Sequence, residues 1–418
     1  MKTFFIFIKM KIFYKLVYIF ILLLIIGCKP ASSYKPQSDF MLGNEVLLSE
    51  RTGEITGKRI GLVSNQSGID TKGVHILDNL INGGYNVVKV FTPEHGFRGD
   101  DNVDSYKDTK TGVQIISLYG NKKKPDASDL KDVDVLIYDL QDVGARFYTY
   151  INTLFYLMQS ANENNIKVIV CDRPIMSKGD YADGFMLDEE NRSFVGMLDI
   201  PIAYGMTSGE IAKYINSEYF GNGVQLSISE MKGYDRKKEF SSYNIPWVKP
   251  SPSIYFPSSA LCYTGTCLLE GTNVSEGRGT EKPFEIIGAP FVNGEKLSEE
   301  MNSLNLSGVS FEPVKFIPTE MPNAIPVKFV GENCEGVYIK VTDYNRFEPV
   351  KTGIGIIVSL KKLFAQFEFR KDNFIAKLSG TKKFRKMIES GAGTDEIIKS
   401  YLPTLEDFKV KRASFLLY

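Results

Sequence analysis

Between residues 58 and 173 the chain alternates short apolar runs with stretches of helical spacing. The runs at 58–65, 86–91, 113–118, 133–140 and 167–171 have strand length and are rich in Val, Ile and Leu. Gly, Pro, Asn or Asp punctuates most of their boundaries. Apolar residues recur at helical spacing over 74–81 and 147–164. Such alternation predicts an α/β unit, a Rossmann-like parallel sheet with helices on both faces. Beyond residue 180 the pattern loosens. Thr207-Ser-Gly-Glu210 is a capping box opening a helix over 211–218, and 224–231 is a strand. Lys249-Pro-Ser-Pro252 marks a boundary. After it come strands at 311–316 and 336–341, a helix at 353–367 and several short helices within 374–401. The expected organisation is a Rossmann-like domain over 42–250 and a smaller α+β domain over 251–418.

The residues just past the predicted strands carry the chemistry. They are Asn65-Gln66, Glu94-His95, Gln141-Asp142 and Asp172-Arg173. In open α/β sheets ligands bind outside the carboxyl ends of the strands, so four polar clusters there point to one shared rim. Glu94, in Phe91-Thr-Pro-Glu94-His95-Gly-Phe-Arg98, stands where an acid/base group is expected. The first strand lacks GxGxxG, and neither a Walker A sequence nor a GxSxG elbow occurs, so the sheet predicts no nucleotide cofactor. A second cluster, Glu270-Gly-Thr-Asn273-Val-Ser-Glu276-Gly-Arg278-Gly-Thr280-Glu281, packs carboxylates and an arginine among glycines. It reads either as an exposed charged loop or as the wall facing Glu94. In the second case it supplies the paired carboxylates of glycoside hydrolysis, with Arg278 or Arg146 free to grip an anionic group bidentately.

Composition narrows the class. Fifty basic residues balance fifty acidic ones, which gives no electrostatic footprint for nucleic acid. Two histidines and no HExxH argue against a zinc site, and no cofactor is expected. Cys171 reads as a small core hydrophobe, and a disulfide among the cysteines after Cys28 is not indicated. At the N-terminus Lys11 and Lys15 precede an apolar run over 16–26 ending in Gly27-Cys28. This resembles a bacterial lipobox, which implies a signal peptide over 1–27, lipidation of Cys28 and a polar tether over 28–41. The chain is then an exported lipoprotein held at the membrane through Cys28; an uncleaved signal anchor is the other reading. Met10 is an alternative start.

Five motifs in order carry a resemblance to a known family. They are Ser64-Asn65-Gln66-Ser67-Gly68, Pro93-Glu94-His95-Gly96, the stretch from Asp139 through Gln141, Asp142, Arg146 and Tyr148 to Tyr150, Asp172-Arg173-Pro174, and the Glu270–Thr280 cluster. Together with the tail from Arg412 to Tyr418 they resemble the NamZ-type exo-β-N-acetylmuramidases, over about residues 45–418. The resemblance implies a Rossmann-like domain, a smaller C-terminal domain and a cleft between them. The implied reaction releases N-acetylmuramic acid from non-reducing ends of peptidoglycan fragments. It implies Glu94 as general acid/base, with Asp183 or Glu276 as second carboxylate. Asn65, His95, Arg98, Gln141, Asp142, Arg146, Tyr148, Arg173, Glu270, Asn273 and Arg278 then line the substrate. Arg146 and Arg278 are the choices for the lactyl carboxylate, with Arg173 behind them unless it is spent on an ion pair with Asp172.

Three departures from the family pattern stand out: Ile175 after Pro174, Asp183 where relatives have Glu, and Tyr204 where they have His. They admit a non-catalytic glycan-binding lipoprotein, or an exo-glycosidase for another acetamido sugar, as alternatives.

Overall fold

The apolar runs of the first half become seven strands of one sheet. In the computed structural model, which describes residues 40–98, 105–321 and 326–418, these are β1 (Arg59–Ser64), β2 (Asn86–Thr92), β3 (Ser105–Lys107), β4 (Gln114–Ser117), β5 (Val135–Asp139), β6 (Lys167–Cys171) and β7 (Leu226–Ser229). The predicted leader and Cys28 lie outside the described residues. The strand order is β3-β4-β2-β1-β5-β6-β7. Every pairing is parallel except that of the short edge strand β3 with β4.

Strand β5 shows why the runs read as continuous rather than alternating. Val135 and Ile137 enter one core with Ile60, Leu62 and Val90. Leu136 and Tyr138 enter another, on the opposite face, with Val63 and Phe91. Both faces are covered, so neither tolerates polar residues. In register, Ser64 stands opposite Asp139, Val63 opposite Phe91 and Thr92 opposite Ser117. The carboxyl ends of the central strands are therefore level, and the polar clusters after them share one rim.

A buried ion pair braces that rim. Arg173 Nε donates to Asp139 Oδ1 at 2.5 Å and Nη2 to Oδ2 at 3.0 Å, and Nη2 also reaches the Ile69 carbonyl. Asn44 Nδ2 adds a third donor to Asp139. The expected partner of Arg173 was Asp172; the structure gives Asp139 instead. Asp172 turns to Thr207, the Gly209 amide and the Tyr418 hydroxyl. Burial, with Glu210 nearby, pushes its carboxyl up to about 7.

The second half builds a three-stranded antiparallel sheet, β8-β10-β9, from β8 (Ile286–Ala289), β9 (Val309–Phe316) and β10 (Cys334–Val341). The helices Pro257–Thr266 and Pro349–Leu363 cross tightly. A Cβ on Gly265 would stand 1.9 Å from the Pro349 carbonyl oxygen, and one on Gly353 would stand 2.3 Å from that of Gly265. Ile287, Val337 and Ile354 join the same core as Val63 and Tyr138. The small sheet and the large one thus share a hydrophobic interior, which fixes the second half against the rim. Cys171, Cys262, Cys267 and Cys334 are buried free thiols.

Candidate active site

Strand β2 delivers Glu94. Val90 and Phe91 are fully buried, and Pro93 ends the ladder because it has no N–H to donate. His95 and Gly96 then both adopt left-handed backbone, at φ 77° and 72°. For a non-glycine residue this conformation costs of order 1–3 kcal/mol and is kept where surroundings enforce it. The turn places Glu94 and His95 in the wall of a cavity of about 610 Å³. That volume suits a small-molecule site, typically about 300–1,000 Å³.

Thr149 Oγ1 donates to the Glu94 carboxylate, reaching Oε2 at 3.1 Å, and Tyr119 lines the same cavity. Burial first, and then the charge of Glu94, push the Tyr119 phenol up to about 12, so it remains a donor at neutral pH. Burial holds the His95 imidazole below its ordinary range, further lowered by Arg278 and opposed by Glu94. A neutral ring offers one donor and one acceptor, which suits hydroxyl recognition rather than anion binding.

The opposite wall comes from the glycine-rich cluster, which is not an exposed loop. Glu270, Glu276 and Arg278 are 8%, 1% and 7% exposed. Arg278 Nη2 donates to Glu270 Oε1 at 2.6 Å, Nη1 to Ser253 Oγ at 2.5 Å, and Nε pairs with Glu276 Oε1 at 3.3 Å. Lys328 Nζ closes the network on Glu276 Oε2 at 2.9 Å. The two carboxylates raise the Arg278 guanidinium above its usual value against the opposing effect of burial. Gly277 and Gly279 flank the arginine at φ 80° and 79°, and a Cβ on Gly277 would meet the Ile286 carbonyl at 2.4 Å. Glycine on both sides of Arg278 is thus a requirement of the turn. Glu270 and Arg278 line the cavity with Glu94; Glu276 lies behind them.

Of the remaining sequence candidates, only Tyr148 lines the same cavity, stacked edge-on against Tyr150 and Tyr263. Arg146 is fully buried and spends its guanidinium on the carbonyls of Phe185, Ile200 and Leu378 at 2.8, 2.7 and 3.0 Å. It cannot grip a substrate carboxylate; it ties the Leu378 segment to the residues after β5. Asp183 is likewise elsewhere, accepting from Tyr181 at 2.6 Å, Tyr401 at 2.9 Å and its neighbour Gly184 at 2.8 Å. Asn65 is fixed by Tyr150 and Ser67, and Gln141 by the Pro174 carbonyl. Asp142 takes the Gly144 amide and the Tyr204 hydroxyl, and burial pushes its carboxyl up to about 6. Asn273 is tied to Gln366 and Glu368, and Arg98 to Asp108. These residues build the rim rather than face the cavity.

Sequence reasoning missed Tyr119, Thr149, Ser253 and Tyr263. Tyr119 follows the one central strand without a polar pair at its end, so strand-end logic passes over it. Among the described residues no group of three His, Cys, Asp or Glu side chains is placed to hold a metal ion.

Comparison with known proteins agrees with this architecture. A family profile described as Exo-beta-N-acetylmuramidase NamZ, N-terminal, matches residues 60–258, and its C-terminal counterpart matches 261–418. The chain is 42% identical to the peptidoglycan beta-N-acetylmuramidase NamZ of Bacillus subtilis (strain 168), covering 95% of this chain and 97% of that protein. Two crystal structures of DUF1343 family proteins from Bacteroides fragilis superpose on it. One has a TM-score of 0.84 at 31% identity, over 92% of this chain and all of that one. The other has 0.75 at 34%, over 91% and 99%.

Proposed function

The chain belongs to the NamZ family of exo-β-N-acetylmuramidases, and we propose that it hydrolyses the terminal muramyl bond of peptidoglycan fragments with Glu94 as general acid/base. The observation that carries the assignment is one sugar-sized cavity with Glu94 on the sheet rim and Glu270 on the facing wall. Glu94 gives its proton to the glycosidic oxygen as the bond from C1 to that oxygen breaks. Water then supplies the hydroxyl at C1 and returns a proton to the carboxylate pair. Thr149 orients Glu94 throughout. Glu270 takes the place expected of Asp183 as the second carboxylate; Arg278 is the cation lining this cavity, and it meets the lactyl acid by exchanging its contact with Ser253 or Glu270.

The alternative of a non-catalytic glycan binder rested on three departures. Ile175 and Tyr204 are 5% and 1% exposed, and Asp183 is hydrogen-bonded between two tyrosines. None lines the cavity, so none weakens the catalytic reading. The test is turnover of a muramide set against a glucosaminide. We further propose that Cys28 anchors the exported enzyme through lipid, on the strength of Gly27-Cys28 after the apolar run. Replacing Cys28→Ser should abolish fatty-acid labelling in cells, and labelling that persists would refute the anchor.

A further inference from the structure

The catalytic cavity continues past Ser251 and Pro252, which line both it and a neighbouring groove of about 1050 Å³. Two loops cross the boundary together. The first presents Ser253 to Arg278 in the cavity and Lys249 and Tyr255 to the groove. The second presents Arg278 to the cavity and Gly279, Thr280 and Glu281 to the groove. Gly279 is tied to the far bank, its carbonyl accepting from the Thr319 amide at 2.9 Å, and a Cβ there would meet the Thr319 carbonyl at 2.3 Å.

The groove banks hold what a sugar face needs. Tyr255 is half-buried, with Lys249 Nζ 3.8 Å from its ring centroid. Ile317 on the opposite bank is 53% exposed. Arg98, Thr280 and Glu281 supply polar groups along the same surface. Amphipathic platforms of this kind take ligands that are apolar on one side and wet on the other.

We propose that this groove is the leaving-group subsite: it holds the amino-sugar chain to which the terminal muramyl residue is attached, with Tyr255 as the platform under the first ring. The proposal rests on the muramidase reading of the cavity. The cavity has another continuation, through Glu270 and Phe374, but that pocket is lined by the Glu276–Lys328 ion pair and by Asn273 and Arg370. Glu276 and Lys328 there are spent on each other, whereas the groove presents Lys249, Thr280 and Glu281 beside its apolar groups.

Two substrates separate the subsite from the function it rests on. Wild-type turnover of an aryl muramide reports the cavity alone; a muramyl-terminated tetrasaccharide engages the groove as well. Tyr255→Ala should lower kcat/KM on the tetrasaccharide roughly tenfold, with the loss mainly in KM, and leave the aryl muramide within about twofold. Ile317→Glu, at an exposed position that does not endanger folding, should act in the same direction, and Arg370→Ala should not. Equal effects on both substrates, no effect on either, or a tetrasaccharide defect confined to Arg370→Ala would overturn the assignment.

Discussion

Replacing Glu94→Gln is expected to lower kcat for muramide hydrolysis by about 10²–10⁴, with KM little changed. The amide keeps the size of the carboxylate and still accepts from Thr149 through its carbonyl oxygen, so the cavity wall should stay in place. What it loses is the proton for the leaving oxygen, and the loss falls on the transition state alone. Unaltered melting and unaltered binding of a muramyl sugar would show that the fold and the ground state survive. Turnover within a few-fold of wild type would remove Glu94 from the mechanism.

The largest stability effect should come from Arg173→Ala. Asp139 is fully buried, and Arg173 supplies two of its side-chain donors. Truncating the arginine leaves a carboxylate without its counter-charge inside the rim, which costs about 3–5 kcal/mol when one partner of a buried pair is removed. Denaturant unfolding should report that loss with an unchanged m-value. A double variant, Arg173→Met with Asp139→Leu, should recover part of it, because neither charge then remains to be desolvated. A loss under about 1 kcal/mol in the single variant would show that the pair does not brace the rim.

Much of this was legible in the chain. The runs over 58–65, 86–91, 133–140 and 167–171 became β1, β2, β5 and β6 with ends shifted by at most two residues. A doubly covered parallel strand has nowhere to put a polar side chain, so its signal is unambiguous. The helix Pro257–Thr266 was invisible because its Ser, Thr and Gly positions are buried on every side, which erases the amphipathic stripe. The site divides in the same way. Glu94 and the Arg278 cluster announce themselves by position and by flanking glycines. Arg146 and Asp183 sit in equally conspicuous motifs, yet their charged ends are consumed by carbonyls and tyrosine hydroxyls, at their longest 232 and 218 residues away in sequence. Polarity in a motif shows that a group needs partners; only the tertiary structure shows whether the partner is substrate or protein.

The sequence departures at Ile175, Asp183 and Tyr204 lie outside the cavity lining. The oxygens of Asp183 meet Tyr181 and Tyr401 at ordinary hydrogen-bond lengths. Tyr204 reaches Asp142 with its hydroxyl from a fully buried position. Both side chains are held by protein partners, while Glu94, Tyr119, Thr149 and the Glu270–Arg278 pair line the cavity.

The most direct measurement is side-by-side incubation of the protein, begun after Cys28, with a chromogenic β-N-acetylmuramide and the corresponding β-N-acetylglucosaminide. Release from the muramide is expected, lost in Glu94→Gln, with little or none from the glucosaminide, which lacks the lactyl acid. Release from the glucosaminide alone, or muramide release that survives the loss of Glu94, would contradict it.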